Sequence, residues 1–264
     1  MTWNADPIIF SVGSFSLRWY SLMFVVGFML GDLYVKKVFV KYKKDPEIVS
    51  NLTSYLIIGT IVGSRLVHCV FYDPQYYLQH PLEVLMVWQG GLASHGGYMG
   101  VIIAAALFLR KHRDIDFFWL MDVLAGPCLF VGGLIRLGNL MNSEIYGKVT
   151  DVPWAFVFEN VDLFPRHPSQ LYESAGYFTI AFILHSLLRY KFDQMIKGSI
   201  LCVAIVLSFV FRYLIEFTKD EQSTLTDSAN FNMGQLLSLA FALFGVALFF
   251  YIRKRAQVKH VSIK

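Results

Sequence analysis

Apolar residues run along this chain in long blocks, and the polar residues collect between them. Seven blocks, about residues 17–35, 50–72, 93–109, 117–137, 171–188, 198–217 and 233–252, approach the ~20 residues that carry a helix across ~30 Å of hydrocarbon. Irregular backbone facing lipid would leave N–H and C=O groups unsatisfied, so the blocks predict helices. The third is interrupted by Gly96, Gly97 and Gly100. Gly59/Gly63 and Gly96/Gly100 have the four-residue spacing that lets two membrane helices approach closely. Of the intervening segments, 73–92 is rich in aromatics and ends in Trp88-Gln89-Gly90-Gly91. Segment 141–170 contains Val152-Pro153-Trp154-Ala155-Phe156-Val157-Phe158, a β-rich run that predicts a small hairpin or head.

Composition agrees with the pattern. The chain is 56% hydrophobic and 16% charged, against about 25% charged in a soluble domain, and its mean hydropathy is +0.51. The net charge of +4 does not suggest nucleic acid; its placement is the signal. Lys36, Lys37, Lys41, Lys43 and Lys44 follow the first block. Arg110, Lys111 and Arg113 follow the third, and Arg189, Lys191 and Lys197 the fifth. Arg253, Lys254, Arg255, Lys259 and Lys264 follow the seventh. With seven spans all four clusters fall on one side, which the positive-inside rule makes the cytoplasm. The expected fold is an all-α integral membrane protein of seven transmembrane helices, a single domain over 1–264. Its N-terminus is outside, its C-terminus is cytoplasmic, and its external head segment covers about 141–170. No basic n-region precedes the first block, so it reads as a retained span and not a signal peptide. Cys69, Cys128 and Cys202 lie inside apolar blocks at no zinc-binding spacing and read as packing residues.

Against this background, polar residues inside the blocks are informative, because ionisable groups at membrane depth are costly and face a protein interior or a wet cavity. The fourth block ends in Arg136-Leu137-Gly138-Asn139-Leu140-Met141-Asn142-Ser143-Glu144. On the seven-span topology Arg65, Arg136 and Arg212 fall in the outer half of the bilayer, and Tyr20 and His95 fall at a similar depth. Glu216 follows Arg212 by one helical turn and can pair with it. An arginine near a helix end can snorkel to the headgroups, which serves as well for Arg18 or Arg65 alone. Arg136 and Arg212 together, each with carboxylates or amides nearby, point to a site for an anion. The planar guanidinium suits a phosphate, and the phosphate at that depth belongs to an outer-leaflet phospholipid. His95, followed by two glycines, has open space beside it for a ligand; His167, in Arg166-His167-Pro168, is external. There is no G-x-S-x-G, H-E-x-x-H or Walker loop, which disfavours a serine hydrolase, a common zinc protease and an ATPase. A lipid or anion transporter would spread polar groups through both leaflets, whereas here Asp32, Asp122 and His185 are the main ones in the inner halves.

These residues also fall into blocks that resemble the bacterial prolipoprotein diacylglyceryl transferases along nearly the whole chain. Arg136-Leu137-Gly138-Asn139 through Asn142, Glu144 and Gly147 is similar to that family's signature. Further blocks follow in order: Arg18-Trp19-Tyr20, Gly63-Ser64-Arg65-Leu66, and Trp88 through Gly97. After these come Arg166-His167-Pro168-Ser169-Gln170-Leu171-Tyr172-Glu173, Arg212-Tyr213-Leu214-Ile215-Glu216-Phe217 and Met233-Gly234-Gln235. Two positions depart from the pattern. Ile135 stands where the signature has glycine, and Thr218-Lys219-Asp220-Glu221 replaces an arginine and a Glu/Gln-Pro-Asp run.

The resemblance implies transfer of the diacylglyceryl group of phosphatidylglycerol to the lipobox cysteine of a prolipoprotein signal peptide. The products are a thioether and glycerol 1-phosphate, in the first step of bacterial lipoprotein maturation. It also implies a monomer in the bacterial cytoplasmic (inner) membrane, active toward its outer face, with no metal and no organic cofactor. A thiol with a pKa of about 8.5 is mostly protonated at neutral pH, and the thiolate is the nucleophile. His95 is therefore the expected base, with Tyr20 orienting it or the lipid. Arg136 and Arg212 would stabilise charge on the departing phosphate. Asn139 would hydrogen-bond the headgroup, Glu144 and Glu216 would orient the arginines, Gly147 would serve a turn, and Arg65 would join the substrate-binding set.

Overall fold

The computed structural model describes residues 1–13, 15–87, 90–219 and 233–261; within these, the side chains of a few residues, His95 among them, are outside the description. The chain is mainly α-helical and divides into two compact units, Met1–Gly31 with Met121–Lys264, and Asp32–Leu120.

Among the described residues there are eight α-helices. They are α1 (Trp19–Lys41), α2 (Ile48–Phe71), the short α3 (Pro74–Gln79), α4 (Ser94–Lys111), α5 (Phe117–Met141), α6 (Ser169–Tyr190), α7 (Ser199–Ile215) and α8 (Met233–Val261). A helix therefore occupies each of the seven apolar blocks. Four segments are long and apolar enough to cross a membrane by length and composition: Ile48–Phe71, Phe117–Met141, Ser199–Thr218 and Gly234–Val258. The other three long helices carry more polar sequence. Asp32, Lys36, Lys37 and Lys41 lie in α1, Ser-His-Gly-Gly opens α4, and Gln170 and Glu173 lie in the first turns of α6.

In the unit Asp32–Leu120, α2 and α4 pack backbone to backbone. A Cβ on Gly59, Gly63, Gly96 or Gly100 would overlap backbone of the facing helix, so the glycines are required by the close approach. Near the α1 end of this unit, Asp32 accepts a hydrogen bond from Thr53 at 2.8 Å and pairs with Lys36 at 2.8 Å.

In the other unit, α7 begins just after Gly198, whose φ of 92° is in the glycine-favoured left-handed region. The buried Asp122 carboxylate of α5 accepts from the amides of Gly198 (2.6 Å) and Leu201 (2.7 Å). A carboxylate there meets orphan N–H groups and the positive end of the helix dipole. Phe209 of α7 stacks on Phe241 of α8 at 4.7 Å, and Ser174 of α6 donates to the Gly133 carbonyl of α5 at 3.0 Å.

The head differs from a lone hairpin within 141–170. It recruits the N-terminus: β1 (Thr2–Trp3) pairs in parallel with β4 (Phe156–Phe158), which pairs antiparallel with β5 (Pro165–Arg166), giving the order β1-β4-β5. A second ribbon joins β2 (Ile8–Val12) to β3 (Phe15–Arg18) immediately before α1. The Trp3 indole N–H donates to the Leu140 carbonyl at 3.0 Å, tying the sheet to the end of α5. Three-residue strands cannot stand alone, so a partner from far along the chain completes them.

Candidate active site

The C-terminal ends of α5 and α7, the N-terminal end of α6 and Lys219 just beyond α7 carry a connected group of charges. At the end of α5 the backbone folds back: Asn142 donates to Gly138 O (3.1 Å) and Ser143 to Leu140 O (3.0 Å). Glu144 then donates to Asn139 O at 2.9 Å. Ser143 and Ile145 take φ values of 54° and 58°, which end the helix sharply. That turn brings the Glu144 carboxylate to the Asn139 amide (3.3 Å) and the Asn142 amide (3.3 Å). Asn139 in turn accepts from Arg136 at 3.2 Å. Gln170 of α6 donates to the Glu144 carbonyl at 2.7 Å.

From Arg136 a second line of contacts runs away from α5. Its Nε lies 2.8 Å from Oε2 of Glu173, whose side chain is 1% exposed. Oε1 of Glu173 accepts from Lys219 Nζ, also at 2.8 Å. Lys219 lies 3.7 Å from Oε1 of Glu216, and Arg212 Nε lies 3.7 Å from that same oxygen. Arg136, Glu173, Lys219, Glu216 and Arg212 thus form an alternating ladder that joins the two arginines. The Arg212 contact is an ion pair too long to be a hydrogen bond, and that side chain is 23% exposed.

Close backbone packing sets this geometry. A Cβ on Gly234, at the start of α8, would stand 2.6 Å from the Glu216 carboxyl carbon, so the absence of a side chain there admits the carboxylate. Gly147 pairs with Lys219 in an isolated bridge and donates to the His167 carbonyl at 2.8 Å. A Cβ at Gly147 would overlap the Thr218 carbonyl, so this glycine serves a close approach between strands of backbone. A Cβ on Gly138 would meet Tyr20 Cα at 3.0 Å, so Tyr20 packs directly on α5. There it lies in the field of Glu144 and Arg136.

Tyr20, Arg136, Asn139, Glu144, Gly147, Arg212 and Glu216 therefore all belong to the one unit. Arg65 and His95 belong to the other. Arg65 is 3% exposed and donates to the carbonyls of Glu83 (2.5 Å), Val84 (3.1 Å), Gly90 (2.6 Å) and Gly91 (3.4 Å). Its guanidinium also lies 5.0 Å over Tyr77. Those bonds staple Glu83, Val84, Gly90 and Gly91 to α2. His95 lies in the first turn of α4, and its side chain falls outside the described residues, as do Trp88 and Gln89. In the head, His167 Nδ1 lies 3.2 Å from the Tyr172 hydroxyl, which accepts from the Trp154 indole at 2.7 Å.

Sequence reasoning did not single out Glu173 or Lys219 as site residues. Glu173 stood inside a recognisable block as one carboxylate at a helix start. Lys219 stood where the chain departs from the family pattern. Only their contacts reveal them.

A largely buried ladder of three cations and two carboxylates, gathered at the ends of long apolar helices, marks a helical membrane protein with a concentrated charged site. Comparison with known proteins narrows that class: the profile of the prolipoprotein diacylglyceryl transferase family matches residues 7–251, and this chain belongs to that family. A phosphatidylglycerol–prolipoprotein diacylglyceryl transferase of Tolumonas auensis is 43% identical over 246 residues, covering 93% of this chain and 95% of that protein. The protein of the same description from Chloroherpeton thalassium is 41% identical over 261 residues, covering 98% and 97%. That from Bacteroides fragilis is 37% identical over 271 residues, covering 98% of each.

Proposed function

We propose that this chain transfers the diacylglyceryl group of phosphatidylglycerol to the lipobox cysteine of prolipoproteins. The cysteine sulfur forms a bond to the glyceryl carbon of the lipid. The bond from that carbon to the phosphate oxygen breaks, and its electron pair leaves with glycerol 1-phosphate. The thiol proton passes to His95. Membership of the transferase family supports this reading, and the observation that carries it is the ladder joining Arg136 to Arg212. Two guanidinium groups held by carboxylates can accept a phosphodiester and stabilise the charge that grows on the leaving phosphate. Arg212, with its longer ion pair, is the better placed to close on substrate. Asn139 and Glu144 position Arg136, and Tyr20 lines the lipid beside them. Arg65, held on the carbonyls of Glu83, Val84, Gly90 and Gly91, completes the substrate-binding set from α2.

The same reading takes the seven long helices as seven spans in the bacterial inner membrane, with the basic clusters of 36–44, 110–113, 189–197 and 253–264 in the cytoplasm. The ladder then faces the outer leaflet, where a secreted signal peptide arrives, and the protein acts as a monomer. Reconstitution with phosphatidylglycerol and a lipobox peptide tests it, following glycerol phosphate release and the mass gain of the peptide. Wild type should modify the peptide and Arg136→Ala should not. A folded wild type that moves lipid between leaflets without modifying peptide would refute the enzyme in favour of a transporter.

A further inference from the structure

We infer that Lys219 is a positioning residue that keeps Arg212 available to a phosphate by competing with it for Glu216. The inference rests on the transferase reading for its turnover measurement and on geometry for the rest. One carboxylate oxygen, Glu216 Oε1, is shared at equal distance, 3.7 Å, by Lys219 Nζ and Arg212 Nε. A lone carboxylate one helical turn from an arginine would ordinarily close on it at hydrogen-bond distance. Here it does not. Glu216 is held against Gly234 of α8, with no room for even a Cβ between them. Lys219 is itself fixed on its other side by a 2.8 Å bond to Glu173. Its side chain is 9% exposed, so water screens the pairings little. The ammonium thus draws charge from Glu216 and leaves the Arg212 guanidinium loosely held.

The same lysine couples the two arginines. Glu173 carries Arg136 on one oxygen and Lys219 on the other, so a shift of Lys219 is felt at both ends of the ladder. A neutral side chain at 219 would leave Glu216 with Arg212 alone, and the two would close into a tight pair that a phosphate must break before binding.

The test compares wild type with Lys219→Met, Lys219→Arg, Glu216→Gln and the Lys219→Met/Glu216→Gln double variant. Two quantities are read in detergent: calorimetric affinity for a short-chain phosphatidylglycerol, and kcat and KM with a lipobox peptide. Lys219→Met should weaken lipid binding and lower kcat/KM by about tenfold to a hundredfold, the weight of one charged hydrogen bond. Lys219→Arg should restore both. The double variant should be no worse than the poorer single variant, because without its charge Glu216 no longer captures Arg212. A purely structural lysine would instead give losses that multiply. Multiplying losses, or a Lys219→Met chain with wild-type affinity and turnover, would overturn the inference. So would a folded Lys219→Arg chain that has lost lipid affinity, a result that stands even if Lys219→Met does not fold. A wild type that binds the lipid without modifying peptide sinks the transferase reading alone, and the binding series still judges Lys219.

Discussion

Replacing Glu173 by glutamine removes one charge from the centre of the ladder and keeps the shape of the side chain. The carboxylate is 1% exposed, accepts a hydrogen bond from Lys219 Nζ at 2.8 Å on Oε1, and pairs through Oε2 with the charge of Arg136, whose Nε lies 2.8 Å away. Those cations are 11% and 9% exposed, so neither can recover full hydration in place of its partner. The charged hydrogen bond from Lys219 is worth about 1.5–3 kcal/mol. Glutamine keeps one acceptor oxygen but turns an amide donor toward a cation, so part of one contact survives at best. Removing one member of a buried ion pair costs about 3–5 kcal/mol, because the partner charge stays buried without compensation. The expected loss for Glu173→Gln is therefore about 3 kcal/mol or more. Unfolding in mixed micelles with rising dodecyl sulfate, followed by helicity, would read it as a lowered midpoint. Transfer activity should fall with it, because Arg136 loses the carboxylate that fixes its guanidinium. A variant within about 1 kcal/mol of wild type, the range of a solvated surface pair, would refute the claim that the ladder is a desolvated, coupled unit.

Gly234→Ala places a methyl carbon where the Glu216 carboxylate now sits, 2.6–2.9 Å from its atoms; turnover should drop more than stability, about 1–3 kcal/mol of strain being the usual cost of overpacking, and unchanged kinetics would refute the role given to this glycine. Arg65→Gln should free Glu83 and Val84 from α2, read as faster limited proteolysis at residues 83–85, and an unchanged cleavage pattern would argue against the anchoring role. In the head, hydrogen bonds from the Arg166 guanidinium hold the Asp162 carboxyl below its ordinary value of 3.8. The folded pKa lies below the unfolded one, so the contribution is complete above pH ~4 and is lost as pH falls through the depressed value. Amide exchange in residues 156–166 should accelerate in that acid range for wild type, and Asp162→Asn should abolish that pH dependence.

Helices were legible wherever hydrophobicity ran long enough. The blocks at 50–72, 117–137, 198–217 and 233–252 correspond to the four segments with membrane-length apolar character, and the glycine pairs announced the α2–α4 contact. The head was legible only as a β-prone run, because a strand of three residues does not name its partner. Phe156–Phe158 takes Thr2–Trp3 as one neighbour, from the other end of the sequence. Arg65 looked equivalent to Arg136 and Arg212 by depth and type. What separates them is whether backbone carbonyls or carboxylates lie opposite, and hydropathy carries no trace of that.

By itself the sequence determined that the chain is helical and lipid-compatible, that its basic residues cluster after alternate apolar blocks, and that polar residues concentrate at certain helix ends. Those are properties of composition and period, which act locally. The tertiary structure alone decided which charges meet. Glu173 and Lys219 are 46 positions apart and lie 2.8 Å from each other. They meet because α6 packs beside α7 and because glycines at 147 and 234 let backbone and carboxylate come close. An ion pair depends on distance in space and on exclusion of water, and both are set only when the helices assemble.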